Sequence, residues 1–269
     1  MSWYINNDIT VDIMTTTETI ETSSEGESLP ITVVHRAIPA LAGVNMYQLP
    51  LSQYIYVEAG VLSVIHVSGR YFVPAKHGII IPPQTEHQLL AKTAVTLSIY
   101  QFDDEQAVDL ALSLQVSSVS PFLSALILES KNITQNYLWN SPQGRLFRTI
   151  RDGIVVSPKI DTFLPYPKDE RLTNITDKLL LHPSLKSDLV SWGKFVKASS
   201  RTLTRVFKKE TGITYSEWRQ RLNVQIAIKH LAQGDSINSI AKLLGYESSS
   251  AFIYMFKKQM AISPKQFLK

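Results

Sequence analysis

Between Ile31 and Phe102 the apolar residues fall in short Val-, Ile- and Tyr-rich runs: ITVVHRA, QYIYVEAG, VLSVIHVSG, RYFVPAKHG, IIIPP, HQLLA and VTLSIYQF. Turn residues punctuate the runs at the intervals of an antiparallel barrel or sandwich, so residues 31–102 are expected to form a β domain. After Asp103 the pattern reads as helical, in AVDLALSLQV, SPFLSALILESKNI and SPQGRLFRTIRDGIVV. The second of these opens with Ser120 as N-cap and Pro121 at the first helical position. These helices, within 103–162, are expected to cover the barrel or to pair with a second copy of themselves. FLPYPKD, with two prolines, marks a boundary, and 163–170 is read as a linker. From 171 to 269 the pattern is helical to the end, in LTNITDKLLLHPS, SDLVSWGKFVKA, SRTLTRVFKKETG, TYSEWRQRLNVQIAIKHLAQG, SINSIAKLLGYE and SSSAFIYMFKKQ. Residues 1–30 stand apart. Thr15 to Ser28 (TTTETIETSSEGES) holds too little apolar surface to offset the entropy of ordering, yet threonine also suits a strand; the arm is read as flexible or as an edge strand.

Within the last region, RTLTRVFKKETG sorts its residues onto two helix faces. Leu203, Val206 and Phe207 fall at i, i+3 and i+4, while Arg201, Thr204, Arg205 and Lys208 fall at i, i+3, i+4 and i+7. A shift of 49 positions brings up a second copy, with Phe252, Met255 and Phe256 as its apolar side and Ser250, Ile253, Tyr254 and Lys257 as its stripe. Each copy follows a shorter helix and a tight connection. Two helices joined by such a turn, the second with an outward polar face, form a helix-turn-helix, and 171–269 is expected to hold two.

Charge points the same way. Residues 1–170 carry 10 Lys+Arg against 17 Asp+Glu, a balance of -7, and residues 171–269 carry 17 against 6, a balance of +11. An acidic body joined to a basic domain is the asymmetry expected when one domain meets a polyanion, with nucleic acid the first candidate and an anionic membrane surface the second. There is no cysteine, which excludes disulfides, a thiol nucleophile and Cys-ligated zinc. No apolar run approaches the roughly 18 residues of a membrane span, and the first twenty residues lack a basic start before an apolar core. The chain is expected to be cytoplasmic and to make no membrane contact.

An α-helix fits the major groove of duplex DNA, where base edges present distinct donor and acceptor patterns. In that setting Arg205 suits a guanine edge, Thr204 a base edge or thymine methyl, and Ile253 a thymine methyl. Lys208, Lys209, Lys257 and Lys258 suit phosphates. Helices separated by one running from about Tyr215 to Ala232 are expected to enter successive groove turns about 34 Å apart. The alternative for each stripe alone is an ordinary solvated helix face.

SRTLTRVFKKETGITYSEWRQRLNVQIAIKHLAQGDSINSIAKLLGYESSSAFIYMFKKQMAISPKQF resembles the DNA-binding region of the AraC/XylS transcription regulators. It has that family's FK..TG, a connecting helix that keeps Arg221, Ala227 and Leu231, and a nearly complete IA..LGY.S...F...FK......P..F signature. The resemblance covers about the last 100 residues and implies base-reading sites at Arg201, Thr204 and Arg205, and at Ser249, Ser250 and Tyr254. It also implies promoter DNA and RNA polymerase as partners and an activating role. The departures are Gly193 and Lys197, where the family places a small Ala and a turn Gly, and Tyr254, where several relatives carry Arg. The second copy keeps Ala241 and Gly245.

YIYVEAGVLSVIHVSGRYFVPAKHGIIIPPQTEHQLLA resembles the cupin-type sensor barrel attached to many such regulators. The fold class expected is therefore two-domain, an N-terminal all-β cupin-like barrel with flanking helices and a C-terminal all-α domain with two helix-turn-helix motifs. Met46 to Leu51 (MYQLPL) holds no His, so His87 alone cannot complete a cupin metal site, and neither metal nor cofactor is expected. His66 and His77 are read as structural or exposed. Tyr47, Tyr54, Tyr56 and His87 are candidate linings of an effector pocket, with ordinary barrel core as the alternative. The function expected is a sequence-specific regulator whose N-terminal domain senses a small molecule or forms a homodimer. The alternatives are an architectural DNA-binding protein without effector control and a cupin enzyme with a basic appendage.

Overall fold

A computed structural model describes residues 29–110, 112–133, 137–260 and 263–267. The arm segment Thr15–Ser28 lies outside them. The chain divides into two compact units, Met1–Val67 with Tyr71–Asp161, and Ser68–Arg70 with Thr162–Lys269.

The first unit is built on strands β1 (Ile31–Ile38), β2 (Gly43–Tyr47), β3 (Ser52–Ala59), β4 (Val61–His66), β5 (Gly69–Pro74), β6 (His77–Ile81), β7 (His87–Ala91) and β8 (Val95–Phe102). The helical turn α1 (Asp104–Ala107) leads to β9 (Gln115–Ser118), and β10 is Lys159–Ile160. One sheet runs β1-β8-β3-β6-β9-β10; the strands β5-β4-β7-β2 run side by side in the other. Alternation along β3 explains the layering. Ile55 and Val57 pack between the sheets with Val64, Val73, Ile79, Leu89 and Leu97, while Tyr54 and Tyr56 point to the opposite face.

That opposite face is covered by α2 (Pro121–Ser130) and α3 (Pro142–Val155). Ser120 caps α2 as its sequence predicts, accepting from the Leu123 amide at 3.1 Å, with Pro121 next. Leu123 and Ile127 of α2 join Phe147, Ile150 and Ile154 of α3 over Tyr54, Tyr56, Tyr100 and Phe102. The phenols find helix partners: Tyr56 Oη lies 2.8 Å from Ser124 Oγ, and Tyr100 Oη lies 2.8 Å from Ser130 Oγ. Since Ser130 donates to the Ile127 carbonyl, Tyr100 is the donor in its pair.

The segment AVDLALSLQV departs from the helical expectation. Helix stops at Ala107, and Val116 pairs with Ile79 as part of β9. Its apolar residues Val108, Leu110, Leu112, Leu114 and Val116 in fact alternate with period two, the strand period. The six-stranded sheet therefore continues, through β9 and β10, into the region expected only to flank the β domain.

The second unit holds β11 (Leu164–Pro165), which pairs with Gly69–Arg70, followed by α4 (Glu170–Leu181), α5 (Leu189–Phe195), α6 (Ser200–Thr211), α7 (Tyr215–Ala232), α8 (Ile237–Leu243), α9 (Ser249–Met260) and α10 (Pro264–Phe267). Its core includes Leu172, Ile175, Leu179, Trp192, Leu203, Phe207, Trp218 and Leu222. No helix among the described residues is long and apolar enough to cross a membrane.

Candidate nucleic-acid interface

The internal repeat is a repeat of local structure. Helices α6 and α9 begin and end 49 residues apart, and each has twelve residues. Before them, α5 and α8 end in the same cap. The Ala198 amide donates to the Gly193 carbonyl at 2.9 Å, and the Tyr246 amide to the Ala241 carbonyl at 2.8 Å. Lys197 and Gly245 each sit just before these amides with left-handed backbone. Helices α6 and α9 then start on serine caps, Ser199 accepting from the Thr202 amide at 3.1 Å and Ser248 from the Ala251 amide at 3.2 Å. The second turn is one residue longer, because the preceding helices are offset by 48 rather than 49 positions.

The repeat also continues past α6 and α9. Thr214 and Glu217 form a capping box at α7, and Ser263 and Gln266 bond reciprocally at α10, again 49 residues on. Trp218 then sits edge-on to Phe207 at 6.0 Å, as Phe267 sits edge-on to Phe256 at 5.9 Å. Each of α6 and α9 is thus clamped from behind by an aromatic of the following helix.

This packing decides which side faces out. In α6 Leu203, Phe207 and Thr211 are buried, leaving Arg201, Thr204, Arg205 and Lys208 exposed. In α9 Phe252, Met255, Phe256 and Met260 are buried. Ser250, Tyr254 and Lys257 are exposed there, whereas Ser249 and Ile253 are half-buried. Tyr254, at 73% exposure, projects its whole ring. Two hydroxyls are already engaged: Thr204 donates to the Ser200 carbonyl at 2.9 Å, leaving its methyl and lone pairs outward, and Ser249 donates to Asn238 on α8. Asn238 has no counterpart in sequence reasoning; its role is visible only once the turn brings α8 against α9.

Five acidic side chains in this unit are engaged elsewhere. Asp188 caps α5, Glu210 accepts from the Lys168 and Asp169 amides at 2.8 Å each, and Glu217 completes its capping box. Asp235 bonds His230 and Glu247 pairs with Lys186. Backbone amides hold the Asp188 and Glu217 carboxyls below the usual range, so both remain anionic while doing this. Among the described residues no salt bridge is made by Arg201, Arg205, Lys208 or Lys257. All four side chains are exposed, and Lys208 lies within the field of Glu217. The lysine pairs Lys208–Lys209 and Lys257–Lys258 also lie in last turns, where a cation offsets the helix dipole.

The candidate effector residues are not brought together. Tyr47 and His87 stack at 4.3 Å in tilted geometry, and His87 shares the side of β7 that carries Leu89 and Ala91 into the space between the sheets. Tyr54 and Tyr56 lie across the sheet, under α2, because strand alternation turns them away from Ile55 and Val57. Burial pushes the Tyr47 and Tyr54 phenols up and the His87 imidazole down. Gln53, missed in the sequence, joins the inter-sheet side. No group of three metal-ligating side chains occurs among the described residues.

Residues 192–269 match the helix-turn-helix domain family. The regulator NimR of Escherichia coli is 27% identical over 83% of this chain and 81% of its own length. The regulator RipA of Corynebacterium diphtheriae is 31% identical over 38% of the chain and 30% of its own, and the activator RhaS of Pectobacterium carotovorum is 36% identical over 29% and 30%. All three bear names of helix-turn-helix transcription regulators. Among solved structures, ToxT of Vibrio cholerae aligns over 89% of this chain and 98% of its own at 13% identity, with a TM-score of 0.37.

Proposed function

We propose that this chain, a DNA-binding transcription regulator whose C-terminal domain is of the AraC type, reads promoter DNA with α6 and α9 and is governed by a small molecule held in its N-terminal barrel. The observation that carries the reading is the duplicated stripe. Arg201, Thr204, Arg205 and Lys208 on one helix, and Ser250, Ile253, Tyr254 and Lys257 on the other, stand on clamps of the same construction, with no acidic residue within either stripe. The 18 residues of α7 span about 27 Å at 1.5 Å per residue, in keeping with recognition helices that enter major-groove turns about 34 Å apart. Arg205 and Thr204 read base edges; the lysines hold phosphate. Ser249, tied to Asn238, orients α9 and reaches DNA only if that bond is exchanged.

The effector lies on the inter-sheet side, against Tyr47 and His87. His87 donates through Nδ1 to the Thr85 carbonyl at 2.8 Å, which leaves Nε2 as a neutral acceptor. Nε2 and the Gln53 Oε1 are both buried and make no hydrogen bond within the described residues. Two buried acceptors favour a ligand that brings hydrogen-bond donors. Output is activation through RNA polymerase in the cytoplasm, in keeping with the activator name of RhaS. The outward residues Phe122 and Leu128 of α2 support pairing of two copies.

Selection of duplexes from a random DNA pool by the full chain, at fixed salt, tests the reading. Two enriched blocks about 10 bp apart are expected. One block would leave a single reading helix, and no enrichment would overturn sequence-specific binding.

A further inference from the structure

Tyr215, Arg219 and Asn223 stand four residues apart on one face of α7. Tyr215 Oη donates to the Ser187 carbonyl at 3.0 Å while accepting from Trp192 Nε1 at 2.7 Å. Arg219 Nη2 donates to the carbonyls of Pro183 and, at 3.3 Å, Leu185. Asn223, itself buried, donates from Nδ2 to Tyr246 Oη at 3.0 Å. Three alternate carbonyls of the connection between α4 and α5 are therefore held by α7, and the same row of side chains ends on the turn between α8 and α9.

That connection also meets the second turn directly. A Cβ at Gly245 would fall 2.7 Å from the Ser184 carbonyl oxygen, and Lys186 pairs with Glu247 at 3.3 Å. The first motif is thus locked to the second through residues 183–187, at a point remote in sequence from either recognition helix. Helix α5 is joined in turn to the start of α6, where the Ala198 amide donates to the Gly193 carbonyl at 2.9 Å and a Cβ at Gly193 would lie 2.4 Å from the Ala198 carbonyl oxygen.

Arg219 is an expensive residue to keep there. Among the described residues no carboxylate pairs with it, its Nη1 makes no hydrogen bond, and burial lowers its pKa from the ordinary arginine value. A half-buried cation without a counter-ion, one of its nitrogens wholly out of solvent, adds little stability compared with an apolar side chain of similar size. Its return is geometric: one nitrogen of a rigid, planar group holds two carbonyls at once.

We propose that Arg219 is a positioning residue which, with Asn223 and Tyr246, fixes the distance and rotation between α6 and α9, and so the base-pair spacing the chain accepts between its two DNA blocks. The proposal rests on the two-helix reading above. One base pair of spacing is about 3.4 Å along the duplex, so a small slip of the lock is legible on DNA.

The test uses the full chain and a two-block duplex recovered by the selection, its spacing set at the selected value and at one base pair more and less, with a one-block duplex beside them. Wild type is expected to lose on the order of tenfold in affinity at either wrong spacing. Arg219→Met is expected to flatten that dependence while binding the one-block duplex within about twofold of wild type, and Arg219→Lys to restore it in part. Tyr246→Phe removes one hydroxyl only and is expected to flatten it partially, which keeps the question open to measurement if Arg219→Met does not fold. A variant that folds and keeps the wild-type spacing dependence, or that loses the same factor on both duplex types, overturns the positioning role alone. Wild-type selection of a single block overturns the two-helix reading and this role with it.

Discussion

Lys197 holds in the first turn the left-handed backbone that Gly245 holds in the second, at φ 53° against 76°. A side chain in that conformation costs roughly 1–2 kcal/mol, of which glycine's extra unfolded freedom takes back a part. Lys197→Gly is therefore expected to stabilise the chain by about 0.5–1 kcal/mol and raise its thermal midpoint slightly. Gly245→Ala is expected to do the reverse and more, since its Cβ would press on the Ser184 carbonyl oxygen. Gly193→Ala also destabilises, although the equivalent Ala241 is tolerated, because a Cβ at Gly193 would lie 2.4 Å from the Ala198 carbonyl oxygen. Thermal unfolding by circular dichroism checks all three; a Lys197→Gly midpoint below wild type would remove this account.

Arg205 and Lys208 are both exposed on α6 but are assigned different work. Arg205→Ala is expected to cost about 1–3 kcal/mol on the selected duplex and to relax preference at one base pair. Lys208→Ala is expected to weaken all duplexes alike and to reduce the slope of log affinity against log salt by about one. Titrations of specific and scrambled duplexes at several salt concentrations separate the two. Equal losses on both duplexes for both variants would mean that α6 reads no base through Arg205.

Tyr254 projects from α9 without charge at the position equivalent to Arg205. Its ring takes no part in the apolar side of the helix, so Tyr254→Arg is expected to leave the thermal midpoint within about 0.5 kcal/mol of wild type in stability terms. Binding to DNA should strengthen and the salt slope steepen by about one if the new guanidinium meets phosphate. An unchanged affinity and slope would place this face of α9 away from the duplex.

The two faces of α6 and α9 were legible in the sequence because a twelve-residue amphipathic helix, repeated 49 residues on, leaves little freedom in which side is buried. Strand periodicity likewise made the β domain legible, which forms two antiparallel sheets. What it did not give was the direction of each aromatic side chain. Tyr54 and Tyr56 are apolar enough for either face of β3, and only the choice of Ile55 and Val57 for the inter-sheet side sends them beneath α2. AVDLALSLQV, expected to be helical, is helical at Ala107 and joins a strand only at Gln115 and Val116. The polar row Tyr215, Arg219 and Asn223 was invisible for a different reason. Polar residues at four-residue spacing usually mark a solvated face, and the partial burial of this one depends on a loop contributed by residues 183–187.

Four histidines give the chain a specific response to acid. Burial, as the largest cause, holds His35, His66, His77 and His87 below the ordinary histidine value. Unfolded, each titrates near 6.5 and so binds more protons than the folded chain once the pH drops to that region. Stability is therefore full above about pH 6.5 and is lost as the pH falls through it toward the depressed folded values. The carboxylates Asp169, Asp188 and Glu217, whose folded pKa values are also lowered, add their own loss only in more acid solution. The thermal midpoint is expected to fall from pH 7.5 to 5.5, reversibly. His87→Gln should shallow that fall relative to its own value at pH 7.5, because it removes the imidazole that lies buried beside Tyr47 and within the field of His66. A midpoint that rises on acidification across this window would mean that these imidazoles are charged in the folded chain, and would also remove the neutral Nε2 acceptor assigned to the effector site.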